Sequence, residues 1–315
     1  NKRGDLEPAH SDPPRSLDIH MASKANGGAG LVCQSCHTAQ NHHIAGRGSD
    51  MRGTDLDQPV RCVNCHAQKP HGNSNIDKHT AKVECSVCHI PAFARITSTD
   101  MFRDFREVEV YQARRLYEPK ITRQANVIPQ VTWFNGTSQF YEFGAAATLG
   151  PNGRVIMSQP NGGVNDAKSK LFAFKYHQAE QARDPVTGKI LPMKMGILFQ
   201  DGNVDLAIKK GVEAVGWTLP QGYDWVPTER LLSINHEVAP HDQALKCDTC
   251  HANNATRLNW AKLGYTPKTT RNGKPLCESC HEKEDEDWSN PFYGIHDKHV
   301  KDKKIACAEC HNFSR

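Results

Sequence analysis

Residues 79–95 read His79-Thr80-Ala81-Lys82-Val83-Glu84-Cys85-Ser86-Val87-Cys88-His89-Ile90-Pro91-Ala92-Phe93-Ala94-Arg95. At the centre, Cys85 and Cys88 place two thiols three positions apart, and His89 follows directly. Two thiols at that spacing can add to the two vinyl groups on one edge of a haem. The next residue then lies under the iron as an axial ligand.

Outward from this stretch the pattern recurs five times: Cys33-Gln34-Ser35-Cys36-His37, Cys62-Val63-Asn64-Cys65-His66, Cys247-Asp248-Thr249-Cys250-His251, Cys277-Glu278-Ser279-Cys280-His281 and Cys307-Ala308-Glu309-Cys310-His311. All 12 cysteines of the 315-residue chain are used and none is left over. Histidine occurs 17 times, so six cysteine pairs each followed by His would arise by chance less than about once in ten million. Zinc ribbons use Cys-x-x-Cys pairs but need no His after the second Cys. Thioredoxin-like redox pairs lack it too and do not come in sixes. The expected cofactor is therefore six haem c groups with their iron. The cofactor-binding residues are these twelve cysteines, and the proximal ligands are His37, His66, His89, His251, His281 and His311.

Composition agrees with a chain that packs around a cofactor. Only 37% of residues are hydrophobic, a thin supply for a core in a chain of this length. Six porphyrins would add the missing apolar surface. The expected fold class is thus a mainly irregular or α multihaem cytochrome c fold, with low regular secondary structure and a small haem-free insert containing β-hairpins. An apo chain should not fold, as in small metal domains. The formal charge is +4. Each ferric haem contributes about −1, which takes six-haem protein to about −2, since bound ions must be counted. The basicity is not a nucleic-acid signal, and no nucleic-acid partner is expected.

The motifs form two trios. First cysteines are 29 and 23 residues apart in one and 30 and 30 in the other. This suggests a three-haem module over 1–89, a haem-free middle segment over 90–246 and a second three-haem module over 247–315. The middle segment carries its own turn signals, Asn152-Gly153 between apolar runs and Asp184-Pro185 through Gly188. Asp205 through Val215 reads as a short amphipathic helix capped by Asp205 or Asn203. Trp133, Phe134, Trp217 and Trp225 read as core aromatics or haem covers.

Eleven histidines lie outside the motifs: His10, His20, His42, His43, His71, His79, His177, His236, His241, His296 and His299. Six bis-histidine haems need six distal ligands. Nearness to motifs ranks His20, His43, His79, His177, His236 and His299 first, then His71 and His296. Imidazole on both faces closes an iron and leaves no open position for substrate.

Three stretches resemble the octahaem tetrathionate reductase family of c-type cytochromes: residues 79–95, Ser169-Lys170-Leu171-Phe172-Ala173-Phe174-Lys175-Tyr176-His177, and Ile234-Asn235-His236-Glu237-Val238-Ala239-Pro240 leading into Ala244-Leu245-Lys246-Cys247. The similarity runs from about His20 to the C-terminus. It implies His20, His79, His177 and His236 as distal ligands. In that family the catalytic haem motif ends in Lys, which takes the proximal position. No Cys-x-x-Cys-Lys occurs here, and the chain has six motifs rather than eight. The family's activity is therefore not carried over.

Electron transfer along six haems is the expected function, with redox proteins or extracellular acceptors as partners. A subunit of an extracellular cytochrome filament, bound to identical copies, is one form of it. The alternative is a multihaem reductase of a small sulfur or nitrogen oxyanion. Covalent haem attachment occurs outside the cytoplasmic membrane, and the chain begins on Asn with no apolar leader. An exported, periplasmic or extracellular protein whose signal peptide has been removed is expected. No transmembrane segment is expected.

Overall fold

A computed structural model describes residues 3–46, 59–111, 116–251, 255–265, 270–271, 274–275 and 297–304. The motifs at Cys277 and Cys307, with His281, His311 and the candidate ligand His296, lie outside the described residues.

The largest element is a sheet. After a short hairpin, β1 (Ala39–Gln40) and β2 (His43–Ile44), seven strands build it: β3 (Thr99–Tyr111), β4 (Leu116–Gln124), β5 (Gln130–Phe134), β6 (Ser138–Phe140), β7 (Val155–Pro160), β8 (Lys170–Arg183) and β9 (Asp224–Ser233). They run in the order β4-β3-β8-β9-β7-β6, with β5 also on β8. One edge of β8 is shared. Antiparallel β5 takes Lys170–Phe174 and parallel β3 takes Gln178–Glu180, while β9 runs antiparallel along the other edge from Phe174 to Arg183. A second two-stranded hairpin joins β10 (Thr270–Arg271) to β11 (Lys274–Pro275).

This corrects the expectation of a mainly irregular or α fold with a small hairpin insert. The middle of the chain is a seven-stranded mixed sheet. The signal was hidden because the strands do not alternate apolar with polar. On β8 the buried positions include Lys175, His177 and Ala179. On β3 they include Thr99, Asp100 and Asp104, whose carboxylates are met by Arg103 and Arg106. A period of two in burial is present, but polar residues occupy much of the inward face, and such residues are depleted in strands on average. The two turn signals do mark strand ends. Gly153 adopts φ 68° just before β7, and Asp184 closes a turn between Arg183 and Ile190.

Helices are short. They are α1 (Cys33–Cys36), α2 (Ser74–His79), α3 (Cys85–His89), α4 (Met195–Asp201), α5 (Val204–Ala214) and α6 (Asp248–His251). Three of the six start at or next to the first cysteine of a motif. α5 is the amphipathic helix expected, and its cap is Asn203, whose side chain accepts from the Leu206 N–H at 2.8 Å. Its buried side, Ala207, Ile208 and Val212, packs with Ala182 of β8 and Leu191. No described helix is long and apolar enough to cross a membrane.

The apolar interior is divided. Four small clusters replace one core among the described residues. Two of them involve the third motif, one through Val87 within it and one through the residues just past it. Val87 of α3 packs with Trp133, Leu171, Leu258 and Leu263, and Cys250 lies against that group. Ile90, Phe93 and Ala94, just past His89, pack with Ala173 and Ile234. The third motif is thereby anchored on the end of the sheet.

Candidate metal centres

Each described motif histidine is faced by a second histidine. Ring centroids are 6.0 Å apart for His37 and His236, 6.0 Å for His66 and His20, 6.2 Å for His89 and His71, and 5.9 Å for His251 and His79. Two imidazoles on opposite sides of one metal ion stand about 6.2 Å apart, from two bonds of about 2 Å and about 1.1 Å from each nitrogen to its ring centre. The four spacings match that requirement. Direct contact of two stacked rings would be closer.

The partners come from distant parts of the chain. His236 follows β9 and reaches the first motif, while His79 ends α2 and reaches the fourth. Several side chains fix the loops that carry them. The Asp18 carboxylate accepts the N–H of His20 at 2.9 Å, of Met21 at 3.1 Å and of Val238 at 3.2 Å, so it ties the His20 loop to the His236 loop. Glu237, fully buried with φ 63°, takes the N–H of Ala94 at 2.8 Å and the Arg95 guanidinium at 2.9 Å. Arg95 then donates to the carbonyls of Ser16 and Leu17.

Three of the rings are oriented through Nδ1. His37 Nδ1 is 2.8 Å from the Ala45 carbonyl, His71 Nδ1 is 2.9 Å from Asp77, and His236 Nδ1 is 3.2 Å from Asp5. Each bond leaves Nε2 free for a metal. A metal-bound imidazole ordinarily has such a partner. Burial works to raise the Asp5 carboxyl, but the His236 hydrogen bond and Arg3 outweigh it and hold the group far below the usual carboxylate range.

Thiols of neighbouring motifs also act on one another. Burial and then the Cys65 thiol push Cys36 up. The ligand atoms of Cys62, Glu84 and Cys85 lie within 4.8 Å of one another. Cys88 is pushed up to about 11 by burial, then by Cys250. The second and third motifs thus meet at their first cysteines, and the first and third feel the charge of thiols in the second and fourth. All eight described cysteines are free of disulfides.

The residues present fit haem. Around the first two motifs, Leu31, Val32, Ile44, Val60 and Val63 are exposed apolar side chains. Apolar surface concentrated in that way marks a binding face, and a porphyrin is flat and apolar.

Other sequence candidates lie elsewhere. His43 is exposed on β2 and meets no motif ring among the described residues. His177 is buried on β8 opposite Arg230. His299 sits in a π-helical turn over Asp297–Asp302. His10, buried, stands 6.3 Å from His236, edge to face. Of the aromatics, Trp133 is buried and donates its Nε1–H to the Leu263 carbonyl, while Trp260 lies 5.8 Å from His251. Asp5, Asp77 and the Ala45 carbonyl had no signal in the sequence beyond the closeness of Asp77 to His71.

The structure is similar to a crystal structure of octahaem cytochrome c from Shewanella oneidensis, with TM-score 0.71 and 32% identity over 90% of this chain and 67% of that one. The chain belongs to the multihaem c-type cytochromes. Residues 107–254 of this cytochrome also match the family model described as bacterial cytochrome c. No curated protein matches it. Membership in this group means covalently bound haem c with its iron, and a redox role.

Proposed function

We propose that this cytochrome passes electrons along a line of six bis-histidine haems and has no substrate site among them. The observation that carries the reading is the set of four histidine pairs at 5.9–6.2 Å. When bound, each haem iron supplies a one-electron site that alternates between ferric and ferrous. The chain supplies everything else. Cys33 and Cys36, Cys62 and Cys65, Cys85 and Cys88, and Cys247 and Cys250 would hold the haems of the four described motifs. His37 with His236, His66 with His20, His89 with His71, and His251 with His79 would supply the imidazoles that hold the iron. For the two remaining motifs the proximal residues are His281 and His311, with His177, His299 and His296 as candidate distal ligands.

The closeness of Cys62 to Cys85 supports neighbouring haems at the second and third motifs, because closely spaced centres exchange electrons without large rearrangement of the chain. Rigid ligand loops, tied by Asp18 and by Glu237 with Arg95, hold the imidazoles in place through a change of charge. Covalent attachment takes place outside the cytoplasmic membrane, which supports an exported protein.

The test is ligand access. Dithionite-reduced protein is exposed to carbon monoxide, and separately assayed for oxidation by tetrathionate and nitrite. Electron transfer through closed centres predicts no carbon monoxide adduct and no turnover. Rapid formation of one adduct per chain, with turnover of either oxyanion, would replace this reading with a reductase.

A further inference from the structure

Two of the four described pairs have a buried carboxylate behind the distal ring. Asp5 is fully buried, and its Oδ2 accepts the N–H of Asn235 at 2.8 Å and of His236 at 3.2 Å while lying 3.2 Å from His236 Nδ1. Arg3 stands 3.2 Å from the other oxygen and fixes the carboxylate from behind. Asp77, also buried, repeats the arrangement on the third motif, with Oδ1 2.9 Å from His71 Nδ1 and 3.2 Å from the His71 N–H. On the opposite face of the first centre, His37 has only a neutral carbonyl, that of Ala45. No carboxylate is hydrogen-bonded to the rings of His20 or His66, the second pair, among the described residues. Asp18 meets His20 only through its backbone N–H.

A carboxylate that accepts the Nδ1 proton raises the electron density at Nε2 and makes the imidazole a stronger donor. It also places a negative charge near the metal. Both effects favour ferric over ferrous iron, because hydrogen bonding, burial and ligand strength set haem potentials. We propose that Asp5 and Asp77 are positioning residues that lower the reduction potentials of the haems held by the first and third motifs. At the second motif Asp18 brings a negative charge near His20 but no hydrogen bond to its ring, so the ring-donation part of this pull is missing there. The potentials of the first and third centres are therefore set lower by that part. This inference rests on the histidine pairing given under the proposed function.

The experiment is a spectroelectrochemical titration of the holoprotein and of Asp5→Asn and Asp77→Asn, together with low-temperature EPR. Each variant should keep all its haems low-spin. One midpoint should move upward by at least a tenfold change in the oxidised-to-reduced ratio, which for one electron is 59 mV. The EPR signal of one low-spin haem should change with it, and a different haem should respond in each variant. Asp5→Glu should restore part of the shift. If both variants keep their haems and no midpoint moves, Asp5 and Asp77 do not tune and the inference fails, while electron transfer stands. If Asp5→Asn loses a haem, Asp77→Asn carries the same test on a separate centre. His236→Ala serves as the check on the pairing itself. An unchanged low-spin count in that variant would remove the basis of both readings.

Discussion

At the scale of single residues, chemistry was legible where it is local and hidden where it is tertiary. The twelve cysteines and the histidine after each pair announce themselves through spacing alone. The distal rings do not. His43 sits six residues past the first motif, yet its ring stays exposed on β2, and the ring that faces His37 comes from His236. Sequence distance carries no information about which loop folds back onto which motif. Removing a distal ring tests one pair at a time. His71→Ala should leave every haem attached, since the cysteines are untouched, and convert one haem from low-spin to high-spin. Haem content by pyridine haemochrome and the high-spin ferric EPR signal measure the two halves of that outcome. A second residue-scale prediction concerns Glu237. Its carboxylate pairs with Arg95 in a buried site and takes the Ala94 N–H. Glu237→Ala leaves the Arg95 charge uncompensated, which costs about 3 kcal/mol. Because His236 is the preceding residue, the first haem should be the one whose spectrum changes. A denaturant melt that matches the parent would contradict this.

At the scale of elements, the sheet was the part least visible beforehand. β8 carries Leu171, Ala173, Lys175, His177 and Ala179 on one side of its period, a mixture that reads neither as an apolar strand face nor as a surface. Lys175 is fully buried and donates to the Thr99 hydroxyl at 2.6 Å. Its position is set by the parallel and antiparallel neighbours on both edges of β8 rather than by its own preference. By contrast α5 was readable, because its apolar residues fall at helical spacing and Asn203 caps it. Its packing was not. Gly211 lies so close to the next layer that an added Cβ would stand 2.1 Å from the Pro192 carbonyl oxygen. Alanine is favoured over glycine inside a helix by about 1 kcal/mol. Overpacking against a fixed backbone costs about 1–3 kcal/mol. The clash at 2.1 Å puts this site at the upper end, so Gly211→Ala should lower the melting temperature. A raised melting temperature would show that α5 can move away from 192–193 without cost.

At the scale of the whole molecule, the divided interior explains why the fold and the cofactor belong together. Four small clusters share the work of a core, and the first two motifs lie on segments that are exposed nearly throughout, with Val32 and Ile44 on the outside. Such segments have little protein to pack against. The apo chain, made where haem is not attached, should therefore lose ordered structure over 30–46 and 59–74 first. Hydrogen exchange should show those stretches unprotected without haem and protected with it, while β8 and β9 keep more protection in both states. Protection at 30–46 that is equal in the two states would mean that the chain, not the porphyrin, orders this region.

If every iron is closed by two imidazoles, as proposed, the molecule conducts electrons through its haems. Low-temperature EPR and magnetic circular dichroism of the fully oxidised holoprotein, integrated against total haem, test it most directly. All haems should be low-spin with bis-histidine ligation. One stoichiometric high-spin haem per chain, or one centre with a ligand other than histidine, would contradict it.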